Sequence, residues 1–352
     1  MSEGIQDSRD DLHERRQKRS RQALQLHGSL VALITPMTAE GLIDEDALRN
    51  LVQWHLNSGT HGLVPTGTTG ESPVLSHAEQ HRVIEIVCEE ANGTLPVVAG
   101  CGSNNTHAAL EHHAHAFDTG ANAALHVTGY YNRPSQEGVY QHYKALNHLN
   151  SLAIIVYNIP ARTHVDISVA TMARLATLEH VSGVKDATKD LNRPCLERIC
   201  LERIRFETNS PETNSPEKTA REQPAQDKKA KQNSGGTFSF LSGEDGTAVA
   251  YNAAGGNGCI STTANVVPEL CAEMQSACQR GDFTHAIAIQ HKLTPLHEAL
   301  FLEPSPAGIK YACARRQLCT ETVRLPMVTI SQSTKAAIDA ALERLDISLY
   351  PI

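Results

Sequence analysis

The chain has 352 residues, room for one large domain or two ordinary ones, and a formal net charge of −8. That acidic balance argues against general nucleic-acid binding, and no apolar run approaches the ~18 residues that a membrane-spanning helix needs. Apolar residues make up 40% of the chain and aromatics only 4%, so the core must be aliphatic and rich in Ala.

Residues 1–27 form a polar N-terminal extension that mixes acids with bases and lacks an apolar stretch, unlike a secretory signal or an acid-poor transit peptide. From Ser29 a pattern repeats. Short apolar runs alternate with longer segments of helical period: SLVALITP, HGLVPTG, LPVVAGCG, AALHVTG, AIIVYNIP, VSGVKDA, FSFLSGED and GCISTT. Runs of this length suit parallel strands buried on both faces. Between them, Asp44 precedes a stripe of Leu48, Leu51, Val52 and Leu56 that Gly59 ends, and Ser76 with Glu79 has capping-box spacing before Val83, Ile84 and Val87. Ser135 and Ser168 are placed to cap two more helices. The alternation predicts a (β/α)8 TIM barrel over 28–265, with a doubly wound open sheet as the alternative. Beyond Pro268 the strands stop, so 266–352 reads as the last barrel helix and a small C-terminal helical region, broken near Pro304, Pro306 and Pro326.

The nine Cys are an odd, scattered set with no C-x-x-C pair, as expected of reduced, mostly buried thiols in a cytoplasmic protein. EHHAHAF (111–117) puts His112 and His115 at i, i+3; a solvated helix face is the reading preferred over a metal site.

Chemistry in such barrels sits at the C-terminal ends of the strands. The second run ends in GTTGES, where Gly67 and Gly70 permit a tight turn and Thr68 and Thr69 add hydroxyls. Such a turn holds a small anion, or is an ordinary Gly-rich connection; no Lys has P-loop spacing. The sixth run ends in Lys185. An amine in a barrel mouth is costly to keep ionised, and a neutral amine attacks ketones; a solvent-facing Lys is the plain alternative. The fifth ends in VYNIPART, with Tyr157 toward the same mouth and Arg162 suited to a carboxylate, unless they are a core Tyr and a surface Arg. The fourth ends in GYYNRPSQEG, whose Tyr130 and Tyr131 serve the site, packing or an interface. An amine, hydroxyls, an anion-binding turn and an Arg together suit a keto acid activated as an imine.

GTTGES, YYNRPSQEG, YNIPART, GVKDAT, SGED and EPSP, in that order from about Gly28 to the C-terminus, resemble the dihydrodipicolinate synthase family, which is related to N-acetylneuraminate lyase. The resemblance implies a Schiff base between Lys185 and pyruvate, whose carboxylate Thr68 and Thr69 hold. Tyr157 moves protons, in a relay with Thr68 and with Tyr131 from a neighbouring subunit. Gly243 and Ile260 match further substrate-binding positions. Arg162 binds the carboxylate of L-aspartate 4-semialdehyde, in the diaminopimelate route to lysine. The resemblance implies no cofactor and no metal, and a homotetramer built as a dimer of dimers. Ser72, His77, Asn104 and Tyr130 match a regulatory lysine site, but Ala108 stands where sensitive relatives have a Glu, which predicts weak or absent inhibition by lysine. Three further departures are Gly129 for a usual Pro, Asp186 for Glu and Glu244 for Asp. Arg162 counts against a sialic-acid or keto-sugar lyase, and the intact Lys185, Tyr157 and Thr68 against a non-catalytic keto-acid binder.

One stretch stands apart. CLERICLERIRFETNSPETNSPEK, from Cys195, repeats two pentapeptides. Pro194 suits the first turn of a helix capped by Asn192, with Leu196, Ile199, Cys200 and Ile204 as one apolar stripe. From Glu207 to Gly236 no Leu, Ile, Val, Met or aromatic residue occurs and acids match bases, so 207–236 is expected to be a solvated, disordered insertion.

Overall fold

The computed structural model describes residues 24–209 and 238–350, and side chains to 204 before the gap. Most of the N-terminal extension and residues 210–236 of the expected insertion therefore lie outside the described residues.

Eight parallel strands are found where the apolar runs are: β1 Gly28–Ala32, β2 Gly62–Val64, β3 Val98–Gly100, β4 Ala123–Val127, β5 Ala153–Asn158, β6 Val181–Asp186, β7 Ser239–Ser242 and β8 Gly258–Ser261. Their order is β2-β1-β8-β7-β6-β5-β4-β3, and a parallel bridge between Leu63 and Val97 closes β2 on β3. The fold is a TIM barrel. Alternation explains why the runs are continuously apolar. Leu30, Ile155 and Tyr157 point into the barrel, whereas Val31, Ile154 and Val156 meet the surrounding helices, and both sets are buried.

Helices α1 Glu45–Asn57, α2 His77–Ala91, α3 Thr106–Thr119, α4 Gln136–Asn147, the short α5 Pro160–Thr163, α6 Val169–Leu175, α7 Arg193–Asn209, the short α8 Ala248–Ala253 and α9 Pro268–Gln279 ring the strands. Then α10 Phe283–Leu300, α11 Ala307–Arg315 and α12 Gln332–Glu343 form the C-terminal region. Asp44, Ser76, Ser135 and Ser168 each accept a backbone N–H as N-caps. The capping box is complete, the Glu79 carboxylate accepting the Ser76 N–H at 2.8 Å. Leu48, Leu51 and Val52 of α1 and Val83, Ile84 and Val87 of α2 are all buried.

Two expectations fail. The His-rich segment of α3 is not a solvated face: His112 and His113 are buried. His112 packs on α2, its Nδ1 3.1 Å from His81 Nε2, and the His81 and His115 rings stack at 3.8 Å. His113 turns to the sheet, its Nδ1 3.0 Å from His126 Nε2. Burial holds His112 and His113 down to about 4, so they pack as neutral, hydrogen-bonded rings. Among the described residues no three His, Cys, Asp or Glu are grouped to hold a metal ion.

The stripe read on α7 is also rotated. Leu196 and Ile199 are exposed, while Arg193, Pro194, Glu197 and Leu201 face inward. The polar anchoring of the first turn sets this rotation. Arg193 Nη2 donates to the Ile167 carbonyl at 2.5 Å and lies 3.0 Å from Glu197 Oε1. The helix backbone continues to Asn209, three residues into the expected insertion.

Candidate active site

Lys185 ends the inward-facing row of β6 and is 8% exposed. Tyr157 on β5 is its Cα register partner, and Lys185 Nζ lies 4.3 Å from the Tyr157 ring centroid. A Cβ on Gly243, just after β7, would lie 3.2 Å from Lys185 Cε and 2.9 Å from the Ala187 Cβ. That position has no space for a side chain beside the amine.

Above Lys185 opens a cavity of about 610 Å³, lined by Thr68, Thr69, Tyr157, Arg162, Lys185 and Gly243 among others. The turn after β2 reaches it differently from the sequence reading. Its left-handed residues are Thr66 (φ 54°) and Glu71 (φ 59°), not the glycines. Gly70 is needed for close approach, since a Cβ there would lie 3.0 Å from the Leu33 carbonyl oxygen, whereas a Cβ on Gly67 meets nothing within 4 Å. Thr66 Oγ1 donates to the Gly100 carbonyl at 3.0 Å. Glu71 is buried, accepts the Arg324 N–H at 3.0 Å and pairs with Lys310 Nζ at 2.5 Å. The C-terminal region thereby clamps the turn that carries Thr68 and Thr69. Burial works against the Lys310 charge and lowers its pKa, which the Glu71 carboxylate opposes.

The other sequence candidates divide between the cavity wall and its surroundings. Ser72, read as regulatory, lines this cavity. Asn104 Nδ2 donates to the Tyr130 carbonyl at 3.2 Å, and His77 is exposed on α2; none of these three belongs to the cavity wall. Ile260 is buried in the apolar floor with Tyr157, Ala187 and Leu241. Tyr131 is 93% exposed with φ 68° and is not part of the wall. Sequence reasoning missed Lys189, His297 and Glu298, which do line the cavity. The last two come from α10, folded over the mouth from far along the chain, and no local pattern marks them.

The family model for the dihydrodipicolinate synthetase family matches residues 25–206 and 218–345. The chain belongs to that family. It is 49% identical over 315 residues to the 4-hydroxy-tetrahydrodipicolinate synthase of Rhodospirillum centenum, covering 90% of this chain and 97% of the relative. It is 47% identical over 323 residues to that of Rhizobium meliloti, covering 92% and 99%. Among solved structures, the chloride-inhibited dihydrodipicolinate synthase of Acinetobacter baumannii, complexed with pyruvate, is 35% identical with a TM-score of 0.81, covering 92% of this chain and all of that one. The family resemblance read from GTTGES, YNIPART and GVKDAT thus holds along nearly the whole described fold. No described helix is long and apolar enough to cross a membrane.

Proposed function

We propose that this chain is a 4-hydroxy-tetrahydrodipicolinate synthase, a lyase that joins pyruvate to L-aspartate 4-semialdehyde through a Schiff base on Lys185. The observation that carries the reading is the buried Lys185 amine against the Tyr157 ring at the base of a cavity that also holds Thr68, Thr69 and Arg162. The Lys185 nitrogen adds to the pyruvate ketone, and loss of water leaves the imine. Thr68 and Thr69 hold the pyruvate carboxylate. Tyr157 takes a methyl proton, giving an enamine whose terminal carbon attacks the aldehyde, and the aldehyde oxygen collects a proton. Arg162 fixes the carboxylate of the second substrate. The amino group of that substrate then adds to the imine carbon, closing the ring and expelling Lys185.

In this reading Thr68, Tyr157 and Tyr131 pass protons to solvent, Tyr131 reaching a neighbouring copy's cavity in a homotetramer built from dimers. Its full exposure in one subunit, at a left-handed backbone position, supports that reach. The barrel of 28–265 is the catalytic unit, 266–352 closes it, and the reaction belongs to the cytoplasm and to lysine biosynthesis.

Borohydride reduction in the presence of pyruvate, followed by peptide mapping, is expected to place one pyruvyl adduct on Lys185. Coupled assays should then show turnover with L-aspartate 4-semialdehyde and none with N-acetylneuraminate. No adduct, or an adduct on another residue, would remove the Schiff-base reading.

A further inference from the structure

Three hydrogen-bonded neighbours, β5, β6 and β7, each deliver charge to one mouth. Arg162 follows β5, Lys185 ends β6 and Glu244 follows β7, and all three line the cavity. The Glu244 backbone is fixed: its N–H donates to Ser242 Oγ at 3.1 Å, and Ser242 Oγ donates to the Glu244 carbonyl at 3.0 Å. Its side chain is 31% exposed and lies 3.4 Å from Lys189 Nζ.

Lys189 also lines the cavity, and its backbone is left-handed, with φ 66°. That conformation disfavours a residue with a Cβ, so something must hold it. The Thr188 N–H donates to Asp186 Oδ1 at 2.8 Å and the Asp190 N–H to Thr188 Oγ1 at 3.2 Å, pinning the residues on both sides. The loop thus presents an ammonium group to a half-buried carboxylate beside the reactive amine. Burial raises the Glu244 carboxyl above its ordinary value; Lys189 is the leading opposing influence, with Asp245 raising it further and Lys185 lowering it.

The second substrate carries an ammonium and a carboxylate on one carbon. Arg162 answers the carboxylate, and of the three carboxylates on the wall Asp245 is already held by the Thr262 and Thr263 N–H groups and Glu298 is exposed on α10, which leaves Glu244 for the ammonium. We propose that Glu244 is the acceptor for that ammonium, and that Lys189 is a positioning residue that aims Glu244 into the cavity while it is empty. The assignment rests on the reading of the cavity as a pyruvate and amino-aldehyde site. It makes the Glu244–Lys189 pair the element that selects an aldehyde bearing an α-amino group over one without it. Lys189 approaches one Glu244 oxygen, so the ammonium takes the other while Lys189 stays in place and keeps the carboxylate aimed at the ligand.

The test compares two ligands that differ only in the amino group, L-aspartate 4-semialdehyde as substrate and 4-oxobutanoate as competing ligand. Glu244→Gln is expected to raise the KM for the amino aldehyde by about ten- to a hundredfold, the range of a hydrogen bond to a charged group. Lys189→Met should raise it by roughly three- to tenfold, and Lys189→Arg should bring it back to within about twofold, because a cation is restored at the same place. Inhibition by 4-oxobutanoate and the KM for pyruvate should stay within about twofold in all three. Borohydride trapping of pyruvate on Lys185 reports a folded site in each, and Lys189, an exposed side chain, gives a variant that leaves the core intact. Equal weakening of both ligands, or an unchanged KM for the amino aldehyde, overturns the assignment. If the unaltered protein traps pyruvate but does not consume the amino aldehyde, the functional reading fails first and the assignment falls with it.

Discussion

Lys185 and Asp186 are consecutive on β6, and alternation sends them to opposite faces. Lys185 meets the open cavity, where its neighbours Arg162, Lys189 and Glu244 are all within reach of a ligand. Asp186 meets a closed polar cluster between the barrel and α7. One Asp186 oxygen accepts the Thr188 N–H at 2.8 Å. The other, together with the Tyr251 hydroxyl and the Glu197 carboxylate, is buried without a hydrogen-bond partner in the protein. Arg193 supplies the cation, 3.0 Å from Glu197 Oε1 and 3.4 Å from Asp166 Oδ1. Burial pushes the Asp186 carboxyl up and the Glu197 carboxyl to about 7. Charge on the inner face is thus left for a substrate to complete. Charge on the outer face is closed off by the protein, with Arg193 as its cation, and sets the rotation of a helix. On the proposed mechanism one strand carries reactivity and stability on separate faces, so the two should respond to different substitutions.

The largest effect expected from the outer face comes from Arg193→Met. It removes the cation from a region holding Asp186 and Glu197, and at about pH 8, where Glu197 is ionised, uncompensated buried charge costs about 3 kcal/mol or more. The urea midpoint should fall at an unchanged slope, while the folded fraction still traps pyruvate on Lys185. An unchanged midpoint would show that the Arg193 contacts add nothing to stability, and loss of trapping in folded protein would show that the two faces are not independent.

A smaller and more diagnostic effect comes from pH. Because burial raises Glu197 from 4.5 to about 7, the folded state binds a proton there that the unfolded state has already released. Its contribution to stability is therefore greatest below about pH 4.5 and declines as pH rises, until the folded carboxyl ionises near 7. The size of the decline is on the order of 3 kcal/mol. Buried His55 and His113 and partly buried His142, held down to about 3, 4 and 4, act with the opposite sign: their stability is present above 6.5 and lost as pH falls below it. The total profile mixes both, so the difference between the unaltered protein and Glu197→Gln is the useful quantity. Relative to the parent, the Gln variant should gain about 3 kcal/mol between pH 5 and pH 8 in urea titrations. Parallel profiles would mean that Glu197 is ionised throughout.

The barrel was legible because both faces of each strand are buried, which leaves short apolar runs such as AIIVYNIP with no polar alternation to confuse them. The caps at Asp44, Ser76, Ser135 and Ser168 were legible because capping depends on residues three positions apart. What escaped depends on partners distant in sequence. A His on α3 reads as polar until α2 supplies His81 and the sheet supplies His126. Leu196 and Ile199 read as core until Arg193 finds the Ile167 carbonyl and turns α7. In the cavity, Lys185, Tyr157 and the Thr pair lie at strand ends that could be read directly. Lys189 looked like any loop Lys because a left-handed backbone leaves no mark in a single sequence.

The smallest effect is expected from the part of the sequence that looks most unusual. The stretch from Glu207 to Ser234 joins the C-terminal end of α7 to the segment entering β7, whose first residue is Ser239. β7 then runs four residues, to Ser242, before Gly243 and Glu244 reach the cavity. At about 3.3 Å per residue the chain enters roughly 13 Å below the mouth, on the face of the barrel opposite the chemistry. Deleting residues 207–234 should therefore leave turnover with pyruvate and L-aspartate 4-semialdehyde within about twofold of the parent. Shortening the connection should also raise stability by about 1 kcal/mol, because loop-closure entropy changes only slowly with length. The informative measurement is kcat on a deletion variant whose urea transition stays cooperative. A tenfold loss there would tie the far end of β7 to the geometry at Gly243 and Glu244, and the separation of catalysis from stability along these strands would no longer hold.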